Sequence, residues 1–200
     1  NDFTREIVEA IDATPGLCDH IHLPVQSGSS RILKQMLRTY NRDEYLEKIG
    51  WIHSARRPIS VTTDIIVGFP GETEADFAET ISLLEEVRYD GVFAFKYSPR
   101  PNTSAKDMPD AMTEEEKGTR LAIIQQHQRE IQTARNAALL KQRFEVLVDG
   151  HHESRRQWSG RTTCNRIVNF TSPERNLLGQ YCQVQITGAG PNSLVGAHLG

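Results

Sequence analysis

Apolar residues recur along the first 112 positions with two alternating periods. Helical spacing marks Thr4 to Asp12, with Ile7, Val8 and Ile11 on one face and Pro15-Gly16 beyond its end. Strict alternation of Ile21, Leu23 and Val25 predicts a strand over His20 to Val25. Ser29 or Ser30 then opens a helix carrying Ile32, Leu33, Met36 and Leu37. Asn41 with Glu44 forms a capping-box start for a third helix, where Tyr45, Ile49 and Ile52 repeat at helical spacing until Pro58. Val61 to Val67 is a β-branched, apolar run interrupted only by Asp64, long enough for a strand covered on both faces. Gly68, Pro70 and Gly71 break it, and Thr73 with Asp76 caps a helix bearing Phe77, Ile81 and Leu84. Gly91 to Ser98 reads as a third strand, and a loop with Pro99, Pro101 and Pro109 follows.

Strand and helix thus alternate three times, which implies parallel strands with right-handed crossovers. Three such units are too few to close a barrel, so the chain reads as the carboxyl-terminal part of something longer. Thr113 to Arg143 is predicted as one long helix, capped by Thr113 and Glu116, with a stripe of Leu121, Ile124, Ile131, Ala134 and Ala138. Beyond it the texture changes to five short strand-like runs: 144–148, 157–162, 166–170, 180–186 and 194–198. Turn residues separate them, which predicts a small closed antiparallel barrel. The expected division is therefore residues 1–140 and 141–200.

Charge sharpens that division. Residues 141–200 carry seven Lys/Arg against four Asp/Glu, whereas the first 140 carry sixteen against twenty-two. A basic tail on an acidic body points to two units with different partners. No apolar run approaches the ~20 residues that span a bilayer, and no secretory signal opens the chain, so the expectation is a cytoplasmic protein without a membrane partner. Cys18, Cys164 and Cys182 are too few and too scattered for a disulfide framework or a complete metal site. His20 and His22 share a strand face, but no third ligand is spaced to help them hold a metal.

Candidate chemistry lies at the strand ends, where α/β folds bind ligands. Gln26 ends the first strand, Arg38 follows twelve residues later, and Asp64 lies in the second strand. A lone carboxylate in a buried strand needs a partner. An amide, a guanidinium and a carboxylate together can hold a zwitterionic, hydroxyl-bearing ligand, with Arg38 taking its carboxylate. Glu72 is a weaker candidate, because an acidic residue in a first helical turn often only complements the dipole. In the tail, Arg155, Arg156, Trp158, Arg161, Asn165 and Arg166 lie close together. Two readings stand equal there: arginines on phosphates with Trp158 stacking a base, or a solvated arginine face with Trp158 in the core.

Four runs carry a family resemblance: H-I-H-L-P-V-Q-S-G-S (20–29), T-D-I-I-V-G-F-P-G-E-T (63–73), F-K-Y-S-P-R-P-N-T (95–103) and G-R-T-T-C-N-R-I-V-N-F (160–170). In that order they resemble the radical S-adenosylmethionine tRNA methylthiotransferases, and they cover essentially the whole chain. The P-V-Q-S-G-S and S-P-R-P runs favour the branch acting on N6-isopentenyladenosine at tRNA position 37. The related branches act on threonylcarbamoyladenosine in tRNA or on a ribosomal protein. A non-catalytic RNA-binding module is the reading from a different class. The resemblance implies an α/β fold, the second half of a partial (β/α)6 barrel, followed by a small OB-like β-barrel known as TRAM. It places Gln26, Arg38 and Asp64 on S-adenosylmethionine, with Gly68 and Tyr97 near the adenosyl group. It also implies two [4Fe–4S] clusters whose cysteine ligands lie outside this chain, so that these 200 residues alone are inactive. Methylthiolation at C2 of the adenine, tRNA as substrate, and flavodoxin or ferredoxin as electron donor complete what it implies.

Overall fold

The computed structural model describes residues 3–101, 103–109 and 112–200; Asn102 of the third run lies outside them. Three parallel strands form the first sheet in the order β1 (His20–His22), β2 (Ser60–Val67), β3 (Gly91–Lys96). Each crossover is helical: α2 (Ser30–Gln35) and α3 (Arg42–His53) join β1 to β2, and α4 (Glu74–Val87) joins β2 to β3. α1 (Arg5–Ala13) precedes the sheet, and α5 (Glu114–Ala137) leaves it. Val61, Ile65 and Val67 of β2 are buried among residues of the helices, including Phe77, Leu83, Leu84 and Ile124. This is an open portion of an α/β barrel.

Local sequence chemistry set the helix starts. Asn41 and Glu44, Thr73 and Asp76, and Thr113 and Glu116 each form a reciprocal capping box. Ser29 caps α2. Asp76 does more than cap. It also accepts from Ser29 Oγ at 2.7 Å and from the Arg31 guanidinium, tying the loop after β1 to the start of α4. Burial works to raise its pKa, but hydrogen bonds from Arg31, Ser29 and Thr73 outweigh that and hold the carboxyl well below the usual range.

Gly28 sits where that loop crosses α4. A Cβ there would lie 2.5 Å from the backbone of Glu79 and Thr80. Gly28→Ala must therefore displace α4, and overpacking of this kind costs about 2 kcal/mol. A urea melt should show that loss, and an unchanged midpoint would mean that the loop adapts freely.

Three of the differences from the sequence reading have a clear physical cause. β1 ends at His22, because Pro24 withholds a donor from the ladder. The chain stays extended to Gln26, which bridges Ile65. β2 is covered on one face only: Thr63, Ile65 and Val67 are buried, whereas Thr62, Asp64 and Ile66 are half-exposed on the other face. Its β-branched residues occupy both faces and conceal the alternation. α5 stops at Ala137, six residues short, and Arg143 already belongs to the next strand. Its buried face is largely polar. Ile124 and Ile131 are buried as expected, but Lys117, Arg120, Gln128 and Asn136 are buried beside them, while Ala134 and Ala138 face outward.

The remaining strands are β4 (Arg143–His152), β5 (Gln157–Thr162), β6 (Ile167–Thr171), β7 (Tyr181–Ala189) and β8 (Leu194–His198). They close a barrel in the order β4-β5-β6-β8-β7 around Val146, Val168, Phe170, Val184 and Leu194. Four of its five pairings are antiparallel, and β6 with β8 is parallel, which corrects the all-antiparallel expectation and gives the barrel its OB-like topology. It sits against the amino-terminal ends of β1 and β2. Thr163 O accepts from Asp19 N–H at 2.9 Å, and Cys164 O accepts from Ser60 Oγ at 2.9 Å. Asp90, just before β3, collects Val61 N–H at 2.9 Å, the Arg135 guanidinium from α5 and the Arg166 guanidinium from the barrel. Asn136 completes the junction, donating to Gly190 O at 2.8 Å and accepting from Arg166 at 2.7 Å.

Candidate functional site

At the opposite, carboxyl-terminal end of the sheet lies a cavity of about 710 Å³. Gln26, Arg38, Asp64 and Tyr97 all line it, together with Gln35, Ile66, Phe69 and Phe95. Backbone hydrogen bonds place three of them. Gln26 donates its N–H to Asp64 O and accepts from Ile66 N–H, both at 2.9 Å, and these bonds hold a positive φ of 72° that a non-glycine residue seldom adopts. Arg38 follows the end of α2, with its N–H on Leu33 O at 2.9 Å. Leu37 before it also has a positive φ and is 74% exposed on the cavity rim, although its spacing assigned it to a helical core face. Among the described residues no carboxylate pairs with the Arg38 side chain. Tyr97 N–H is held by Val67 O at 2.8 Å, and its ring packs edge-on against Phe69 at 5.1 Å.

Asp64 is not the fully buried carboxylate that its apolar run implied. It is half-exposed on the open face of β2, with His22 Nε2 3.5 Å from Oδ1. His20 and His22 both hydrogen-bond Thr62 Oγ1 at 3.0 Å. Burial first, and the neighbouring His22 second, push the pKa of His20 down. Among the described residues no group of three His, Cys, Asp or Glu side chains converges as a metal site.

Gly68 is set apart from the other four. It does not line the cavity. Its φ of +71° shapes the turn after β2, and its N–H donates to Glu72 Oε2 at 2.8 Å. A Cβ at Gly68 would collide with the Lys117 side chain. Glu72 lies before the first turn of α4 and is buried, with Arg120 Nη1 at 2.6 Å from its carboxylate. Burial raises its pKa, against the pull of Gly68 N–H and Arg120. It braces the turn against α5.

Among the described residues, two buried cavity polar atoms have no hydrogen-bond partner: Tyr97 OH and Gln35 Oε1. Buried polar groups are ordinarily satisfied, so orphans in a cavity mark a place for a ligand's polar atoms. Gln35 was not foreseen; nothing in its helical position distinguishes it from a solvated glutamine.

The arginines of the tail separate into two places. Arg155 and Arg156 are exposed at the turn between β4 and β5, and Arg161 is exposed on β5. Arg161 bonds Asn165 Oδ1 at 2.9 Å and Asp149 at 3.4 Å. Arg166 is only 14% exposed and is committed to Asp90 and Asn136, so it ties the barrel to the sheet instead of offering a free charge. Trp158 is half-buried against the barrel core, its ring 4.3 Å from that of His151.

A parallel sheet with a strand-end cavity and an appended five-stranded barrel define the class, and comparison with known proteins agrees. The Radical SAM superfamily matches residues 1–84 and the TRAM domain matches residues 139–199. Residues 1–84 are thus similar to the radical SAM superfamily, and residues 139–199 to the TRAM domain.

More particularly, it is similar along its whole length to tRNA-2-methylthio-N(6)-dimethylallyladenosine synthases. That of Solibacter usitatus is 59% identical over 98% of this chain and 44% of the relative. That of Koribacter versatilis is 54% identical over 100% of the chain and 46% of the relative, and that of Geobacter metallireducens is 47% identical over 98% and 44%. The chain spans less than half the length of these relatives. A solved coproporphyrinogen III oxidase from Escherichia coli, described as a radical SAM enzyme, superposes with a TM-score of 0.52 at 15% identity. The match covers 92% of this chain and 44% of that one, and it shows the fold alone.

Proposed function

We propose that this chain is the cofactor-holding and RNA-gripping portion of a radical SAM enzyme that adds a methylthio group to C2 of N6-isopentenyladenosine at tRNA position 37. The observation that carries this reading is the convergence of Gln26, Arg38, Asp64 and Tyr97 on one cavity. S-adenosylmethionine suits that donor set. Its carboxylate matches the Arg38 guanidinium, its ribose hydroxyls match Asp64 and Gln26, and its adenine edge can satisfy Tyr97 OH or Gln35 Oε1. Gly68 contributes by shaping the turn beside that group. Bound next to an iron–sulfur cluster, S-adenosylmethionine supplies hydrogen-abstracting radical chemistry. This chain's residues orient it, and Phe69, Ile66 and Phe95 keep water from its apolar parts.

The cysteines here do not fit a cluster. Cys18 is exposed, Cys164 is half-buried and Cys182 is buried in the barrel. We assign no cluster ligand to this chain and place both clusters of the enzyme elsewhere in it. The domain boundary falls near residue 140, and Arg155, Arg156, Arg161 and Asn165 serve tRNA, with Arg166 and Trp158 supporting the barrel that presents them. The electron donor is a flavodoxin or ferredoxin, and the compartment is the cytoplasm, where tRNA is found. Among the described residues no helix is long and apolar enough to cross a membrane.

The test is to express the complete gene carrying this chain in a host without its own methylthiotransferase, and to analyse tRNA nucleosides by mass spectrometry. Methylthiolated isopentenyladenosine is expected, and its absence from cells containing cluster-loaded protein would refute the reading. Asp64→Ala should lower S-adenosylmethionine affinity at least about tenfold in equilibrium dialysis, because a hydrogen bond to a charged group contributes ~1.5–3 kcal/mol. tRNA affinity should hold within about twofold.

A further inference from the structure

We propose that a row of side chains on the outer wall of the TRAM barrel, Tyr181–Leu147–Arg161–Ile167, is a stacking platform for unpaired RNA nucleotides. The inference rests on the RNA-binding reading above and names the surface that performs it.

Strand register creates the row. Leu147 of β4 lies opposite Tyr181 of β7 on one side and Arg161 of β5 on the other, and Arg161 lies opposite Ile167 of β6. In antiparallel pairs such partners stand about 5 Å apart on one face. All four point outward, because their strand neighbours Val146, Val148, Cys182, Thr162 and Val168 fill the barrel interior. Tyr181 is 66% exposed, and Leu147 and Ile167 are also exposed. Three large apolar side chains aligned in water around one guanidinium are unusual for a wall with no other duty.

Chemistry selects the occupant. The Tyr181 ring, extended by the aliphatic Leu147 side chain, accepts the π-face of any base, and the Arg161 guanidinium one strand further along the row meets the phosphate or stacks on a neighbouring base. Asp149 and Asn165 brace Arg161 from either side, which keeps its planar group in the row. The 141–200 segment carries a net +3, so the wall belongs to the part of the chain that attracts polyanions. At its far end the row opens into a cleft of about 230 Å³ between barrel and sheet, lined by Arg161, Ile167, Asn165 and Phe93. Duplex RNA hides its base faces, so a stacking row favours loops and single strands. A β-sheet wall without an aromatic would show no such preference.

The test is fluorescence anisotropy of the 200-residue chain with a fluorescein-labelled 17-nucleotide stem-loop RNA and with a blunt RNA duplex, each at several salt concentrations. The stem-loop should bind at least about tenfold more tightly than the duplex. Tyr181→Ala should weaken stem-loop binding about tenfold, the range for one lost stacking contact, while Tyr181→Phe stays within about twofold. Arg161→Ala should flatten the salt slope by about one unit. Both positions are on the surface, and circular dichroism melts should match the parent chain. If the parent chain binds RNA and Tyr181→Ala binds equally well, this platform is overturned while the RNA reading survives. If the parent chain binds no RNA at any salt, both fall. If Tyr181→Ala instead dissolves a self-associated species in sedimentation without changing RNA affinity, the wall is a contact between copies and the platform is overturned.

Discussion

Asp90→Ala is expected to cost the protein about 3–5 kcal/mol, the range for removing one partner of a buried ion pair. The carboxylate serves three elements at once: Val61 N–H at the start of β2, Arg135 on α5 and Arg166 on the barrel. Its loss leaves Arg166 enclosed at the junction with only Asn136 to meet it. For a chain of this size the melting temperature should fall by roughly 10 °C. The more informative signal is the shape of the melt. With the junction broken, sheet and barrel should lose their common transition and unfold in two steps, read by calorimetry. Arg135→Ala, which leaves the more buried Arg166 paired, should cost about 1 kcal/mol and keep a single step. A single transition in Asp90→Ala, shifted by less than 1 kcal/mol, would show that the barrel is held mainly by other contacts.

Asp76→Asn is expected to remove about 2–3 kcal/mol, because an amide cannot replace an anion that accepts from Ser29, Thr73 and Arg31 together. Arg31 is half in solvent, which tempers the ion-pair share. The variant carries a pH signature. Asp76 is held below its ordinary pKa in the folded chain, so the unfolded chain takes up its proton first as acid is added. Its contribution is complete above about pH 4, the range where an unperturbed aspartate titrates, and is lost below that as pH falls toward the folded pKa. The stability difference between the parent chain and Asp76→Asn should be constant from pH 7 to about 5 and narrow at lower pH. A difference that grows on acidification would contradict the assignment.

What could be read from sequence divides along a physical line. Capping boxes are local in sequence, so Asn41–Glu44, Thr73–Asp76 and Thr113–Glu116 were legible before any coordinates. The βαβ order was legible for the same reason. The cavity was not. Spacing alone offered Gln26, Arg38 and Asp64 as a possible set, and only resemblance to known enzymes added Tyr97. The inner face of α5 was misread because Arg120, Gln128 and Asn136 owe their burial to Glu72, Tyr89 O and Gly190 O, all at least 39 positions away. Helical periodicity cannot separate such residues from a solvated face. Arg166 was grouped with its arginine neighbours for the same reason, since Asp90 lies 76 residues upstream. Tyr181 carries no signal in sequence, because one exposed aromatic means little until register sets Leu147 beside it and Arg161 beyond Leu147.

That polar lining gives α5 a role that an oily stripe would not. Twenty-four residues make a rod of about 36 Å. A greasy helix can slide or roll by a turn at little cost, whereas one pinned by Arg120 to Glu72 near its start and by Asn136 to Gly190 near its finish admits one axial setting. The rod therefore works as a gauge block: it fixes how far the TRAM barrel stands from the mouth of the cavity, and an insertion or deletion of a single residue between positions 121 and 135 would throw both grips out of phase by 100°.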